Sequence, residues 1–336
     1  FSTGAVSVGD YNNDSLLDIF VGERYDVDSY GVPVSGRLYK NLGDNKFKNI
    51  KIKSFENIGL ITSAKWIDIN SDNKLDLIVS GEWMPIKVFV NIDGDFIDKT
   101  KDYGLDKSNG LWNDIEIVDI DSDGDFDIIA ANFGENNFYK PNMKMFVSDF
   151  DLNGFKEQII CYEIGGKYFP ILDKDELITQ LPSIKKKLVY YKDYSNLSID
   201  QIFDEETFES PTVLNLNTLK SSVFINNNGK FLQTSMPPEI NYSTMYDIEI
   251  VEKNKRGIKI VMGGNQYNIK PQFGRQDASK GYFLNIEISN DSISYSNLES
   301  LNIDGQIRKF EQFVYKNKKC IAVGINNKKT KFFEYK

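Results

Sequence analysis

The sequence predicts an all-β protein, a β-propeller of four-stranded antiparallel blades carrying a small helical insertion. Three observations predict it. A strand–acidic loop–strand unit recurs along the chain. A strand–Gly turn–strand unit follows most copies. Together the two span roughly 50–60 residues, the length of one four-stranded blade.

The first unit is read directly. Residues 5–22 are AVSVGDYNNDSLLDIFVG, 63–81 are SAKWIDINSDNKLDLIVSG, 114–132 are DIEIVDIDSDGDFDIIAAN, and 144–162 are KMFVSDFDLNGFKEQIICY. Short apolar runs bounded by Asp, Asn and Gly read as strands joined by a tight loop. YDIEIVEKNKRGIKIVMGGN at 246–265 keeps the strands and loses the acids, and EQFVYKNKKCIAVGINN at 311–327 is a fainter copy. Five to six blades are therefore visible. The second unit is LYKNLGDNKFKNI (38–50), VFVNIDGDFIDKT (88–100) and SVFINNNGKFLQT (222–234). Each is a hairpin whose Gly supplies a positive φ.

The first acidic loops start 58 and then 51 residues apart, but Asp149 follows Asp119 by only 30. That interval is one hairpin, so the fourth loop is expected between strands three and four of the same blade. Residues 171–207 break the β pattern. DKDELITQL and SIKKKLVYYKDYSN have helical spacing split by Pro182, and Ser198 is placed to cap a further short helix. This region is expected to be a helical insertion or a degenerate blade within a single domain, 1–336, with Lys185–Lys187 on a solvated face. The chain opens at Phe1 directly into a strand, which suggests a mature form or a fragment lacking N-terminal blades.

Composition removes whole classes of function. With no His in 336 residues, imidazole catalysis, His-ligated zinc and His pH switches are out. Two Cys cannot build a Cys₄ site, and Cys161 and Cys320 read as small buried hydrophobes. A formal charge of −9 disfavours nucleic acid. No apolar run approaches the ~18 residues of a membrane helix.

The acidic loops carry the chemistry. They are Asp10, Asn12, Asp14, Leu16, Asp18; Asp68, Asn70, Asp72, Lys74, Asp76; Asp119, Asp121, Asp123, Asp125, Asp127; and Asp149, Asp151, Asn153, Phe155, Glu157. Oxygen ligands at positions 1, 3 and 5, a backbone carbonyl at 7 and a carboxylate at 9 suit Ca²⁺. Position 6 must bend sharply. Gly124 and Gly154 suit that, Asn73 tolerates it, and Ser15 is least comfortable. The alternative for a single loop is a metal-free Asp/Asn turn. Four loops with one spacing favour calcium, up to four ions, in a structural role. Such weak sites fill only outside the cytosol, which predicts an extracytoplasmic location.

These residues resemble the FG-GAP/VCBS repeat of integrin-α-like propellers, and more specifically bacterial VCBS proteins related to cartilage acidic protein. The matching stretches are VGDYNNDSLLDIFVG, WIDINSDNKLDLIVSGEWMPI, GLWNDIEIVDIDSDGDFDIIAANFGEN, FDLNGFKEQI and GNQYNIKPQFGRQDASKG. The resemblance implies about seven blades, calcium in the blade loops, and a secreted or outer-membrane-associated interaction module. It names no ligand.

Ligands are expected away from the metal hairpins, at Glu23–Tyr30, Glu82–Trp83, Asn132–Asn137 and Tyr267–Asp277. Trp83, Tyr267, Arg275 and Asp277 are the candidate contacts. For Trp83 and Arg275 the competing reading is packing at a blade joint. The expected function is non-catalytic binding of a protein or glycan at the cell surface. The alternatives are a structural subunit of an outer-membrane complex, or a carbohydrate-active enzyme with paired carboxylates.

Overall fold

The alternating apolar and β-branched runs become strands where the repeats place them, and the sheets form in series along the chain. The computed structural model describes residues 2–289 and 292–335. The first sheet contains β1 (Ser2–Gly9), β2 (Asp18–Tyr25), β3 (Gly36–Asn41) and β4 (Phe47–Ile50), paired in that order. The second contains β5 (Leu60–Ile67), β6 (Asp76–Met84), β7 (Lys87–Ile92) and β8 (Asp95–Asp98), with the short β9 (Gly110–Leu111) also on β6. The third begins with β10 (Asp114–Val118) and β11 (Asp127–Ala131).

Here the chain departs from the expected blade. Residues 132–221 leave the third sheet and build a sheet of their own. It comprises β12 (Met143–Ser148), β13 (Glu157–Ile164), β14 (Lys167–Pro170) and β15 (Thr212–Leu216), in the order β14-β13-β12-β15. Only afterwards do β16 (Ser222–Asn226) and β17 (Phe231–Ser235) complete the third sheet, β16 pairing with β11 from Ile128↔Phe224 to Ala130↔Ser222. The fourth acidic loop therefore joins β12 to β13 of the inserted sheet, and not strands three and four of the third blade. The next sheet is β18 (Met245–Asn254), β19 (Gly257–Gly264), β20 (Tyr282–Ser289) and β21 (Ser292–Ser300). The last is three-stranded: β22 (Ile307–Tyr315), β23 (Lys318–Ile325) and β24 (Lys331–Glu334). The two acid-poor copies are thus the β18–β19 and β22–β23 pairs.

The helices lie inside the insertion, between β14 and β15: α1 (Lys174–Gln180), α2 (Tyr191–Tyr194), α3 (Ile199–Ile202) and α4 (Glu205–Phe208). Asp173 caps α1, its carboxylate accepting from Glu176 N at 2.8 Å. Pro182 starts a 3₁₀ turn just past the end of α1. Ser198 N donates to Gln201 Oε1 at 3.1 Å, half of a capping box on α3. Leu177, Leu181, Ile184, Ile199 and Ile202 bury against Phe146 and Ile159 of the inserted sheet, and Lys185–Lys187 are exposed.

The first strands of successive sheets stand side by side and run parallel. Lys65 Nζ meets Glu116 at 2.6 Å and Ser63 Oγ meets Asp114 at 2.9 Å, one register apart on β5 and β10. Lys309 meets Asp247 at 2.8 Å and Gln312 meets Glu249 at 2.7 Å, fixing β18 against β22 in the same sense. These strands share no ladder, so their backbone N–H groups need other acceptors. Asp114 accepts from Ile248 N at 3.2 Å and Asp247 from Phe310 N at 2.6 Å. Between the sheets lie separate apolar layers: Phe20, Leu38, Phe55 and Phe89 between the first two, Ile78, Val88, Trp112 and Phe224 between the second and third. The propeller-like row is therefore held by layers between blades and not by one central nucleus. Because the first strands are parallel, all three propeller acidic loops lie at one end, and the starts of β5, β18 and β22 lie at the other.

Candidate functional site

The acidic loops are built by their own side chains. The position 1 carboxylate gathers N–H groups from across the loop. Asp10 accepts from Asp14 N and Ser15 N at 3.1 and 2.7 Å, Asp68 from Asp72 N and Asn73 N at 3.0 and 2.8 Å, and Asp149 from Asn153 N and Gly154 N at 2.9 and 2.8 Å. Asp119 accepts from Ser122 N at 2.6 Å. Position 5 then accepts from the N–H of position 7: Leu16 onto Asp14, Lys74 onto Asp72, Asp125 onto Asp123 and Phe155 onto Asn153, at 2.8–3.0 Å. Position 6 has positive φ in every loop, as the spacing requires: Ser15 +68°, Asn73 +65°, Gly124 +102° and Gly154 +91°. Position 4 does too, which the sequence did not flag: Asn13, Ser71, Ser122 and Leu152 lie at +58° to +64°.

Curled this way, two loops bring carboxylates into clusters that could hold a metal ion. Asp119, Asp121 and Asp123 each offer an oxygen within 4.8 Å of the others, as do Asp149, Asp151 and Glu157. The donors are hard oxygens, suited to a cation such as Ca²⁺. Two observations show the fit. Asp151 Oδ1 is buried without a hydrogen-bond partner among the described residues. The Asp121 carboxyl is pushed above its ordinary range by burial and by the charge of Asp123 beside it. In the first two loops Asn12 and Asn70 supply amide oxygens in place of a third carboxylate, and Lys40 Nζ sits 3.1 Å from Asp14.

Position 9 has a different first duty from the one expected. Asp18 and Asp76 are fully buried and Asp127 is 2% exposed. Each clasps its loop to the third strand of its sheet. Asp18 accepts from Tyr11 N and Asn41 N at 3.3 and 2.7 Å. Asp76 accepts from Ile69 N and Asn91 N at 3.0 and 2.7 Å, and Asp127 from Ile120 N and Asn226 N, both at 2.9 Å. Both oxygens of each carboxylate are thus engaged by backbone, and the cluster in the third loop forms without Asp127. Burial pushes Asp76 up to about 6 and Asp127 up to about 7. Glu157 joins its cluster while accepting from Phe150 N at 3.1 Å.

The opposite end carries the residues expected to touch a ligand, and they divide. Trp83 is a core residue, 2% exposed, packed with Leu60, Leu111 and Met145 where the second sheet meets the insertion. Its ring meets Tyr139 edge-on at 5.7 Å. Its indole fills that joint, the packing that the competing reading expects of it. Tyr267, Arg275 and Asp277 are brought together on one loop. The Arg275 guanidinium lies 3.5 Å over the Tyr267 ring, and its Nε is 3.4 Å from Asp277. Both charged groups are more than half exposed, so Arg275 does not pack a blade joint.

The same loop forms one wall of a cleft of about 670 Å³, through Lys270 and Phe273. The other walls are Gln158 and Ile160 of β13, the Ile171–Asp173 link, and Asp175, Glu176, Thr179 and Gln180 of α1. Phe273 stacks on Phe138 at 3.6 Å between centroids, tying in the 132–142 segment. Glu176 bridges the cleft, accepting from Gln272 at 2.7 Å and Lys270 at 3.3 Å. Sequence reasoning reached the loop that carries Phe273 but not Glu176, because no motif spacing marks a wall made by tertiary approach. Cys161 and Cys320 are buried and free.

Comparison with known proteins agrees with the loop geometry. The model of the FG-GAP-like repeat matches residues 10–79 and 68–130, so this part of the chain carries FG-GAP-like repeats. The match begins at the first acidic loop, after β1, and runs through the rest of the first sheet, the second sheet and the β10–β11 pair to residue 130. No curated protein matches the sequence. Among solved structures, one from Bifidobacterium bifidum s17, described as an exo-beta-1,3-galactanase, aligns over 90% of this chain and 92% of its own. Its identity is 10% and its TM-score 0.28, and at that score the likeness carries no argument.

Proposed function

We propose that the protein is a calcium-stabilised, extracytoplasmic interaction module that binds a protein or glycan ligand at the cell surface without catalysis. The observation that carries this reading is the separation of its two ends. The propeller's acidic loops cap one end of the parallel first strands, and the open cleft and loops lie toward the other; the fourth loop, in the insertion, adjoins the cleft through Glu157, the neighbour of Gln158. A cation bound by Asp119, Asp121 and Asp123 would neutralise their mutual repulsion and stiffen the β10–β11 turn, far from any ligand in the cleft. The cleft volume is in the range of small-ligand sites, and its lining combines apolar side chains with carboxylates, amides and a hydroxyl. Among the described residues no helix is long and apolar enough to cross a membrane. Weak sites of the extracellular type, with Kd of ~10⁻⁴–10⁻³ M, would fill only at external calcium levels.

The test pairs two measurements on the purified chain: calcium titration by calorimetry, and binding to surface glycans and surface proteins in calcium. The reading expects saturable calcium uptake and a ligand that is bound and released unchanged. Turnover of the ligand would favour the enzyme alternative. A melting temperature indifferent to chelator would remove calcium from the account.

A further inference from the structure

The end opposite the acidic loops holds a second feature that the reading above does not use. Arg24, near the end of β2, donates to Glu82 at 2.6 Å. The other oxygen of Glu82 accepts from the Tyr30 hydroxyl at 2.7 Å. The one carboxylate is thus fully engaged, while the remaining N–H groups of Arg24 have no acceptor among the described residues. Arg308, near the start of β22, stacks 3.8 Å over the Tyr246 ring. It donates to the carbonyls of Asn265 and Ile307 at 2.9 and 3.1 Å, and to the amide oxygens of Gln266 and Gln306 at 3.2 and 3.0 Å. All four acceptors are neutral, and no carboxylate among the described residues faces it. The Tyr139 hydroxyl, on the adjoining segment, makes no hydrogen bond among them either.

Bonded geometry puts these groups on one rim. Glu82 is ladder-paired with Leu111, Leu111 N donates to the Asn132 side chain at 3.1 Å, and Met245 N donates to the Asn132 carbonyl at 3.0 Å, one residue from Tyr246. Burial lowers the proton affinity of Arg308, and the charge of Arg24 lowers it further. A guanidinium from the first sheet and one from the last therefore stand on the rim of one mouth, and of the two only Arg24 is paired with a carboxylate among the described residues. In a chain of formal charge −9 this is a local excess of positive charge held in place by the fold. Such an arrangement is relieved by an anion.

We propose that this mouth binds the carboxylate of a small sugar acid, a uronate, with Arg24 as the bidentate contact. The Arg24 N–H groups left by Glu82 match a planar carboxylate of one charge. Arg308, its terminal N–H groups already bonded, contributes a fixed positive charge. The Tyr139 hydroxyl suits a sugar hydroxyl, whereas the Gln266 and Gln306 amide oxygens are already taken, the first by Tyr246 and Arg308 and the second by the Tyr267 N–H and Arg308. An inorganic phosphate would ask for more free donors than the mouth offers. The site is separate from the cleft and stands whether or not the cleft binds anything.

The test is isothermal titration of the whole chain with galacturonate, with galactose as the uncharged twin and inorganic phosphate as the competing anion. Galacturonate should bind at least about tenfold tighter than galactose, and more weakly as salt rises from about 0.05 to 0.3 M. Arg24→Gln should abolish binding, and Tyr139→Phe should weaken it about fivefold with the melting temperature unchanged. Glu82→Gln keeps an acceptor for Arg24 but removes the competing charge, so it should tighten binding about threefold or more. A structural lesion would not produce that gain. Equal binding of galactose, stronger binding of phosphate, or a folded Glu82→Gln variant with unchanged or weaker affinity would each overturn the proposal.

Discussion

Leu152 is the most strained residue of the acidic loops. It sits at φ +58° at position 4 of the fourth loop, and its side chain is 58% exposed. A branched side chain in the left-handed region costs about 1–2 kcal/mol, and here little burial offsets it. Leu152→Gly should therefore raise stability by about 1 kcal/mol, part of the relief being lost to a more flexible unfolded chain. Urea denaturation of the pair would show it, and a destabilised variant would mean that the exposed leucine contributes packing. Position 6 was legible in the sequence, because Gly124 and Gly154 announce a bend. Position 4 was not. Asn13, Ser71 and Ser122 look like any polar turn residue, and Leu152 argues against a turn. What requires positive φ at position 4 is the shape of the whole loop, closed by hydrogen bonds to the position 1 carboxylate.

At the scale of elements, buried Asp and Asn side chains hold strands that share no ladder. Asn91, at the third strand of the second sheet, is fully buried. Its side chain donates to Tyr11 O at 2.7 Å and Leu75 O at 3.0 Å and accepts from Gly94 N at 2.8 Å. It therefore ties the second sheet to the first loop. Asn41 holds the same place in the first sheet but is only half-buried, donating to Leu17 O at 3.0 Å. Asn91→Ala should cost about 3 kcal/mol and Asn41→Ala about 1, since only the first leaves buried carbonyls without partners. Equal losses in thermal melts would show that burial is not what separates them. The repeated Asn before each Gly turn was visible in the sequence, but its reason was not: the carboxylate that accepts its N–H lies 15 to 99 residues earlier. Asp247 is the comparable clasp between first strands. Burial first, then the neighbouring charge of Asp114, pushes it up to about 7, against Lys309 and the Phe310 N–H, which pull it down. The folded state therefore holds this proton more tightly than the unfolded chain. Its stabilisation is complete below about pH 4 and fades as pH rises toward about 7. Wild type should lose about 1–4 kcal/mol relative to Asp247→Asn across that window. A pH-independent difference between the two would show that Asp247 stays ionised throughout.

At the scale of the molecule, a row of sheets with parallel first strands separates charge by end. The repeats made that row legible, because each blade is a local unit with its own strand pattern. The insertion was not legible as a unit. Its acidic loop has the same spacing as the others, and a motif cannot say which sheet its flanking strands will join. The helices at 174–208 were visible, but the strands that carry them were indistinguishable from propeller strands. The same ambiguity bears on the charge of −9, which four divalent ions would bring to about −1. The acid clusters make a sharper claim for two loops than for four. With a Kd of ~0.1 mM and ~1 mM calcium, each filled site adds about 1.4 kcal/mol, so the third and fourth loops together supply about 3. The decisive variant is Asp121→Asn. Without a cation, Asp119, Asp121 and Asp123 repel, and removing one charge relieves them. With a cation, the same change removes a charged ligand and weakens the site. Asp121→Asn should therefore be more stable than wild type in chelator and less stable in ~1 mM calcium, the two melting curves exchanging order. Asn12→Asp in the first loop, where Lys40 already meets Asp14, should be destabilising in chelator and gain more from calcium than wild type does. If Asp121→Asn ranks the same way in both buffers, the cluster is a solvated turn, and the acidity of the chain needs another explanation.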